Sequence, residues 1–368
     1  MEVPQEPGLG RRTFLGAAAS VATVEAALGR DYLTAGRESK TFSGSIVEVG
    51  GIRVGHFTDT RRPTGCTVVL FDNGAVTGVD VRGSAPGTRE TDLLNPLNTV
   101  QRVNGILLAG GSAYGLDAAA GVMQYFEENG LGYHVGSHVV PIVPAAILFD
   151  LNMGDGKIRP DRQAGYAACQ AASSSRVPQG NVGAGTGATV GKFFGLKNAM
   201  KSGLGTASLR VGPELIVGAV VAVNAAGDVL DYRDPARILA GARASDGRTF
   251  RNTLQEILHG VTLPNGSAHQ GAHTTIGVVA TNAALSKAEA AKVAQMAHDG
   301  LARTINPVHT TADGDTVFAA GTGGSTTKAD ITIIGVAAAE VMARAVNNAV
   351  LAATGIPGYP AWRDLSES

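Results

Sequence analysis

Cysteine is nearly missing from this chain, with two in 368 residues. Cys66 lies in the apolar run Cys66-Thr67-Val68-Val69-Leu70 and Cys169 in an alanine-rich stretch. Both read as small core residues rather than as a disulfide or a thiol nucleophile. Net charge is nearly absent too, at -1 with a pI near 6.7, so nothing points to nucleic acid or an anionic membrane surface. No unbroken apolar run reaches the roughly 18–20 residues that a membrane-spanning helix needs. Aromatic residues make up only 5%, with one tryptophan. Metal-ligand spacing is lacking as well. Eight histidines are scattered, and the i,i+4 pairs His134/His138 and His269/His273 have no helix and carboxylate to complete a zinc motif.

What the chain has in excess is glycine, 50 residues, nearly double the usual share of about 7%. The glycines are spread among Val, Ala and Ile runs, which fits tight turns and close backbone contacts in a dense α/β core. The length allows one large core or two ordinary domains, and no internal repeat is evident. At the N-terminus, Gly10-Arg11-Arg12-Thr13-Phe14-Leu15-Gly16 precedes an Ala/Val stretch to Leu28. This looks like a twin-arginine export signal, interrupted by Glu25. Residues 1–40 are therefore set aside as an export signal or leader. Export would place the protein in the periplasm or outside the cell; without it the protein is cytoplasmic.

From Ser43 to Asp80 short β-like runs alternate with turns: Ser45–Val49, Cys66–Phe71 and Ala75–Val81. Ile106-Leu107-Leu108 reads as a buried strand. It leads through Gly110-Gly111-Ser112-Ala113-Tyr114-Gly115 into a helix that Asn129-Gly130 stops. Residues 134–151 are apolar and β-like, and Arg162–Ser173 reads as a second helix. Ile216–Val223 is a strong strand ending at Asn224, with a hairpin turn expected at Ala226-Gly227-Asp228. Residues 243–273 are the most linker-like part. Ser286-Lys287-Ala288-Glu289 is a capping box opening a helix. Asp315–Ala320 reads as a strand and Val336–Thr354 as a final amphipathic helix. Such blocks of strands and helices argue for stacked sheets flanked by helices.

Several motifs invite chemistry. The segment from Gly183 to Lys192 looks like a phosphate loop, but Thr186 replaces its first glycine and Phe193 its closing Ser/Thr. A nucleotide-binding module is thus a weak alternative. Gly111-Ser112-Ala113 lacks the pattern of a serine-hydrolase elbow. Lys192 stands before Phe193-Phe194, where its ammonium would be partly desolvated. Asn224 ends a buried strand. Asp313 and Asp315, two apart, point to one side if extended. The pair Thr274-Thr275 sits where a loose Gly/Ser/His loop turns into a β-branched run. If the bond before Thr274 is cut, its freed α-amine can act as base for its own hydroxyl, with a reference pKa of about 7.7–8.0.

Taken in order, these pieces resemble the P1 family of peptidases, from about Ser45 to Thr354. That family includes L-aminopeptidase/D-esterase enzymes, β-peptidyl aminopeptidases and nylon-oligomer endohydrolases. The matching segments are Pro63–Thr67, Gly87–Leu94, Gly110–Leu116, Gly183–Gly187, Asn224, Thr274–Ile276 and His309–Phe318. The resemblance implies an α/β fold of the N-terminal nucleophile hydrolase kind: a four-layer αββα sandwich, self-cleaved into two associated chains. Residues 41–368 would form one hydrolase domain. The cut would fall between His273 and Thr274, leaving an α chain to residue 273 and a β chain of 274–368.

The resemblance further implies Thr274 as nucleophile, with Asn224 donating to the oxyanion and Lys192 beside the nucleophile. Asp313 and Asp315 would orient the threonine or hold a substrate ammonium. Two departures stand out. His273 replaces the Asn or Gly familiar before the nucleophile. Phe149 stands where some members carry an oxyanion-supporting tyrosine, and phenylalanine cannot donate. Ser112 and Tyr114 are therefore grouped with Phe149 as a candidate substrate or oxyanion pocket. Short peptides or oligoamides are the expected substrates, with no cofactor and no metal, and homo-oligomers of αβ units are implied. Ornithine acetyltransferases share a similar fold and a threonine nucleophile, but their Lys-Gly-rich motif before the threonine is absent here.

Overall fold

The computed structural model describes residues 41–261, 273–325 and 329–366. The export-like leader, residues 1–40, lies outside the described residues, as do residues 262–272 of the linker-like segment. In chain order the strands are β1 (Ile52–Thr58), β2 (Gly65–Val81), β3 (Thr88–Arg89), β4 (Val103–Ala109), β5 (Tyr133–Val135), β6 (His138–Val140), β7 (Ala145–Ile147) and β8 (Thr189–Val190). They continue as β9 (Met200–Lys201), β10 (Leu204–Val211), β11 (Leu215–Asn224), β12 (Asp228–Asp231), β13 (Asp234–Ala240), β14 (Thr274–Thr281), β15 (Ile305–Asn306) and β16 (Thr316–Gly321). The α-helices are α1 (Ala118–Glu128), α2 (Arg162–Gln170), α3 (Thr253–Leu258), α4 (Lys287–Thr304), α5 (Ile331–Leu351) and α6 (Trp362–Ser366).

The main sheet runs β10-β11-β14-β16-β2-β4-β7-β3, with β1 also paired to β2. β2 joins its two halves. Cys66–Leu70 pair with β4, while Val76–Val81 pair with β16. The pairing with β4 shifts register between Leu70 and Ala75, and Gly74 there takes a left-handed φ of 66°.

Strand residues alternate between buried environments, as period 2 dictates. On β11 and β14, Val217, Ala219, Val221 and Val279 pack with α4 and α5 residues such as Val293, Leu301, Met342 and Val346. Their neighbours Val220, Ala222, Ile276 and Val278 instead join Val69, Phe71, Ile106 and Leu108 from β2 and β4. The opposite faces of those two strands, carrying Cys66, Val68, Leu70 and Leu107, pack on Val122, Phe126, Ala164 and Ala168 of α1 and α2. Both faces of each half-sheet are thus covered, which is why the strands read as continuous apolar runs.

Several expectations need correction. Ser45–Val49 is not a strand; Ile46–Glu48 form a 3-10 turn. Cys66–Phe71 and Ala75–Val81 are parts of one strand, β2. Ala226-Gly227-Asp228 is no hairpin, because β11 pairs with β10 and β14 while β12 pairs with β13 and β15. The segment after Arg243 contains the short helix α3. The last long helix, α5, starts before Val336, its first turn capped by the Asp330 carboxylate accepting from the Thr332 N–H. α5 is long and apolar enough to cross a membrane, yet most of it is buried inside the fold, as befits a core helix. The capping box is as expected: the Ser286 hydroxyl accepts from the Glu289 N–H, and the Glu289 carboxylate accepts from the Ser286 N–H.

Close helix–sheet contact depends on glycine at Gly205 of β10. A Cβ there would lie 2.0 Å from the Ala345 carbonyl oxygen and 2.5 Å from the Ala349 nitrogen. Neither backbone atom can move without shifting α5. Gly205→Ala should therefore destabilise the protein by about 1–3 kcal/mol through overpacking. Its denaturant midpoint checks this; an unchanged midpoint would mean that α5 stands off the sheet.

Candidate active site

Thr274 opens β14, the strand at the centre of the sheet's second half. Its antiparallel register with β11 sets Asn224 directly opposite Thr274. On the other side β14 runs parallel to β16, with Ile276 facing Thr316. Thr274 shares a face with Ile276 and Val278, and Asn224 with Ala222 and Val220. Both therefore lie at one end of the face that packs toward β2 and β4. Both are buried.

The junction before Thr274 is tightly drawn. The Thr274 hydroxyl donates to the carbonyl oxygen of His273 at 2.5 Å. The same oxygen accepts the Gly314 N–H at 2.8 Å, and His273 bridges to Asp313 in parallel fashion. A Cβ on Gly314 would come 2.5 Å from the Ala85 carbonyl and 2.9 Å from Thr274 Oγ1, so only glycine fits beside the hydroxyl. His273 itself is buried.

Lys192 reaches Asn224 from the glycine-rich segment. Main-chain bonds from Gly191 N to Gly227 O and from Lys192 N to Ala226 O fasten this segment just past the end of β11. Lys192 Nζ donates to the Asn224 carbonyl at 2.9 Å and to its Oδ1 at 2.8 Å. Oδ1 also accepts the Thr189 N–H. With Oδ1 so engaged, the amide nitrogen is turned to the Phe149 carbonyl, 3.0 Å away. An amide carries two N–H donors, and among the described residues Phe149 takes one of them. Burial pushes the Lys192 amine down to about 7, against the pull of Asp313, Asp315 and Asp150. Phe193 and Phe194 lie in a small apolar cluster with Ala226 and Ala242. The whole segment 183–192 is buried, which leaves no open cradle for a phosphate.

The two carboxylates are held differently. Asp315 accepts the Thr275 N–H at 2.7 Å and contacts His309 Nδ1 at 2.8 Å. Asp313 accepts the Thr310 N–H and hydroxyl, at 2.7 and 2.6 Å. Burial, and then the neighbouring Asp315, raise the Asp313 carboxyl above its ordinary range. Both carboxyl groups act on Lys192, so the three groups form one electrostatic unit around the end of β14.

The remaining candidates are spread more widely. Phe149 enters through its carbonyl, not its ring. Ser112 has a left-handed φ of 54° after Gly111 at 85°, and its N–H donates to the Leu148 carbonyl. Tyr114 is 61% exposed, with the Arg159 guanidinium 3.8 Å from its ring centre. Among the described residues no hydrogen bond joins Tyr114 to Thr274 or Asn224, and no group of His, Cys, Asp and Glu is arranged to hold a metal ion.

Two supports escaped the sequence reading. Arg62 and Asp150 form a fully buried ion pair at 2.8 Å. Asp150 also accepts from the Thr64 hydroxyl and the Gly111 N–H, and Arg62 donates to the carbonyls of Asp150, Met153 and Ile158. This pair fixes the loop that presents the Phe149 carbonyl. Its only signal in the sequence is that Arg62 and Asp150 directly flank Pro63-Thr64 and Phe149. Lys201 is likewise fully buried, and its Nζ donates to the carbonyls of Gly185, Ala188 and Ser202. It ties down the segment that delivers Thr189 and Lys192, and nothing in its local sequence marks it.

Comparison with known proteins places the fold and the family. Solved structures share the fold. An L-aminopeptidase/D-Ala-esterase/amidase from Ochrobactrum anthropi superposes with a TM-score of 0.64 at 20% identity, covering 90% of this chain and 93% of that one. A β-aminopeptidase from Burkholderia sp. gives 0.62 at 21%, covering 88% and 91%. The fold is thus the mixed α/β type of aminopeptidases described as a variant of the N-terminal nucleophile hydrolase fold. Residues 44–362 match the model of peptidase family S58, and the chain belongs to that family. It is 45% identical over 348 residues to an uncharacterized aminopeptidase of Mycobacterium tuberculosis, covering 87% of this chain and 97% of that protein. It is 33% identical over 289 residues to a 6-aminohexanoate-oligomer endohydrolase of Kocuria sp., covering 77% and 75%. These relationships support a hydrolase of peptide or amide bonds.

Burial lowers both Lys192 and Lys201 to about 7 in the fold, whereas an unfolded lysine titrates near 10.4. Between about pH 7 and 10 the unfolded chain holds protons that the folded chain has released, so these groups make stability rise with pH across that window. Lys201→Met should flatten that rise. It should also cost about 1–3 kcal/mol by stranding three carbonyls. Thermal midpoints from pH 7 to 10 check both effects; an undiminished slope would show that Lys201 is not the titrating group.

Proposed function

We propose that this protein is a self-processing threonine hydrolase of amide bonds. The observation that carries the reading is the His273–Thr274 junction. A buried hydroxyl lies against the preceding carbonyl oxygen, which also accepts a backbone N–H from Gly314. In the first stage Thr274 Oγ attacks the His273 carbonyl carbon. The Gly314 N–H steadies the oxyanion. The C–N bond breaks, the hydroxyl proton passes to the new α-amine, and an ester links His273 to Thr274. Water then hydrolyses the ester, leaving an α chain ending at 273 and a β chain of 274–368. The three apolar clusters support a four-layer αββα arrangement for the single hydrolase domain of residues 41–368: helices α1 and α2, two half-sheets, then α4 and α5.

In turnover the hydroxyl attacks a substrate amide carbonyl, and the α-amine takes its proton and passes it to the leaving amine. The second N–H of Asn224 donates to the oxyanion. Lys192 holds Asn224 in that orientation, and where protonated it favours the neutral form of the neighbouring α-amine. Asp315 orients the nucleophile through the Thr275 N–H, and the Asp313/Asp315 pair, through the one negative charge it carries, offers a substrate ammonium its counter-charge. Water releases the acyl group from Thr274. The names of the relatives support short peptides or oligoamides as substrates.

Denaturing electrophoresis with intact-mass analysis tests this reading. Wild type should yield two fragments, one beginning at Thr274. Thr274→Ala should remain a single chain and lose about 10³-fold or more in amide hydrolysis. A folded wild-type chain with no such fragment, or a Thr274→Ala chain that keeps its activity, would remove Thr274 as the nucleophile.

A further inference from the structure

Behind the nucleophile strand, on the side of α4, lies a polar chain that this mechanism leaves unused. Asp315 Oδ2 contacts both the ring and the backbone of His309, Nδ1 at 2.8 Å and N–H at 3.3 Å. The side chain is 15% exposed, and among the described residues its buried Nε2 has no hydrogen-bond partner. A single ring proton on Nδ1 satisfies this geometry, whereas a second proton on Nε2 would be stranded. His298 of α4 packs edge-on, 4.8 Å between ring centres. Its Nε2 meets the Asp80 carbonyl at 3.0 Å. The backbone of His309 is left-handed, with φ 55°, a conformation that side chains other than Asn, Asp and His rarely adopt.

We propose that His309 is a positioning residue of the site: by donating from Nδ1 it fixes the Asp315 carboxylate and makes Asp315, rather than Asp313, the anion that holds the end of β14. Two carboxylates this close in a buried site do not both ionise cheaply. Among the described residues Asp315 has three donors, the N–H of Thr275 and both the N–H and Nδ1 of His309, while Asp313 has two, the N–H and hydroxyl of Thr310. More donors on Asp315 assign the negative charge there. The raised Asp313 carboxyl agrees. The charged and titratable groups around His309 are Asp315 and Asp313 from its own loop, His298 from α4, Asp80 from β2, and Lys192 across the carboxylates. His298 is held low by burial, so it brings no competing charge at neutral pH. The anion on Asp315 would fix the Thr275 N–H before cleavage and lie close to the new α-amine of Thr274 afterwards. That second role rests on the threonine-hydrolase reading.

His309→Asn and His309→Asp separate a donor from a mere space-filler. Both side chains are nearly the same size, and both tolerate the left-handed backbone. The Asn variant keeps an N–H for Asp315, while the Asp variant sets a second carboxylate against it. The Asn variant should process itself and turn over within about fivefold of wild type. The Asp variant should lose about 10²-fold in kcat at pH 7.5, with KM little changed, as expected for a misplaced catalytic group. Toward pH 5 the introduced carboxyl takes up a proton and donates, so the rate of the Asp variant relative to the Asn variant should climb. Equal rates for the two variants, both high or both low, would overturn the proposal.

A second measurement needs neither turnover nor a folded Asp variant. In histidine-labelled Thr274→Ala protein, the His309 Nδ1 proton should give a downfield NMR resonance that Asp315→Asn abolishes. Its absence overturns the pairing. Its presence in a wild-type protein that never cleaves itself would preserve the pairing and discard the threonine-hydrolase reading instead.

Discussion

The main-chain ladder of β14 is the constraint on which the site depends. Antiparallel pairing with β11 puts Asn224 across from Thr274, and parallel pairing with β16 brings Gly314 to the His273 carbonyl and Asp315 to Thr275. A slip of one residue would turn Thr274 from the face toward β2 to the face toward α4. Ile276, Val278 and Ala280 would then leave one apolar cluster for the other. The packing of two cores therefore enforces the position of one hydroxyl. What links sequence to chemistry here is register, fixed by apolar alternation along β11, β14 and β16.

Burying so many charges is costly unless each is met. Lys192, Lys201, Arg62, Asp150, Asp313 and Asp315 are all buried, and all are hydrogen-bonded. The Arg62–Asp150 pair illustrates the condition under which a buried ion pair is tolerated. Every branch of it ends on a backbone carbonyl, a hydroxyl or an N–H, so neither ion is left with unsatisfied polar atoms. Its position explains its retention. Asp150 follows Phe149, whose carbonyl takes one N–H of Asn224. Lys192 and Thr189 take the other end of that amide. The orientation of Asn224 is thus set from two sides by groups far apart in sequence.

Most of the residues gathered at the candidate site were legible because they sit in short runs with distinct local signatures. Thr274 stands at a loop-to-strand boundary, Asn224 at the end of a β-branched run, Lys192 at the end of a glycine run, and Asp313-Gly314-Asp315 before a strand. What escaped notice depends on partners far along the chain. Lys201 sits in a two-residue strand and donates to carbonyls up to sixteen positions away. Arg62 and Asp150 are 88 residues apart. His309 stood in a matched motif, yet its role needs Asp315 and His298 brought together by the sheet and α4. The false hairpin at Ala226-Gly227-Asp228 has the same origin. Turn chemistry was present, but both edges of β11 were already taken by β10 and β14. The Asp228 carboxylate instead accepts from Ala242 and Thr253.

In the proposed mechanism one hydroxyl carries out two reactions with different oxyanion donors. Before cleavage, the carbonyl that Thr274 touches is that of His273, and the donor on it is the Gly314 N–H, a by-product of β14 running on alongside the β16 segment. After cleavage that carbonyl leaves with the α chain, and a substrate carbonyl must find another donor. Asn224 is placed for this from the opposite strand, its orientation already fixed by Lys192 and Phe149. In this proposal the self-cleavage step takes its oxyanion donor from the backbone, the Gly314 N–H that folding sets against the His273 carbonyl. The turnover step draws on side chains whose buried charges are costly to install. The proposed division matches the arrangement of the site: glycine against the hydroxyl on the β16 side, where no side chain fits, and the polar network of Lys192 and Asn224 on the β11 side.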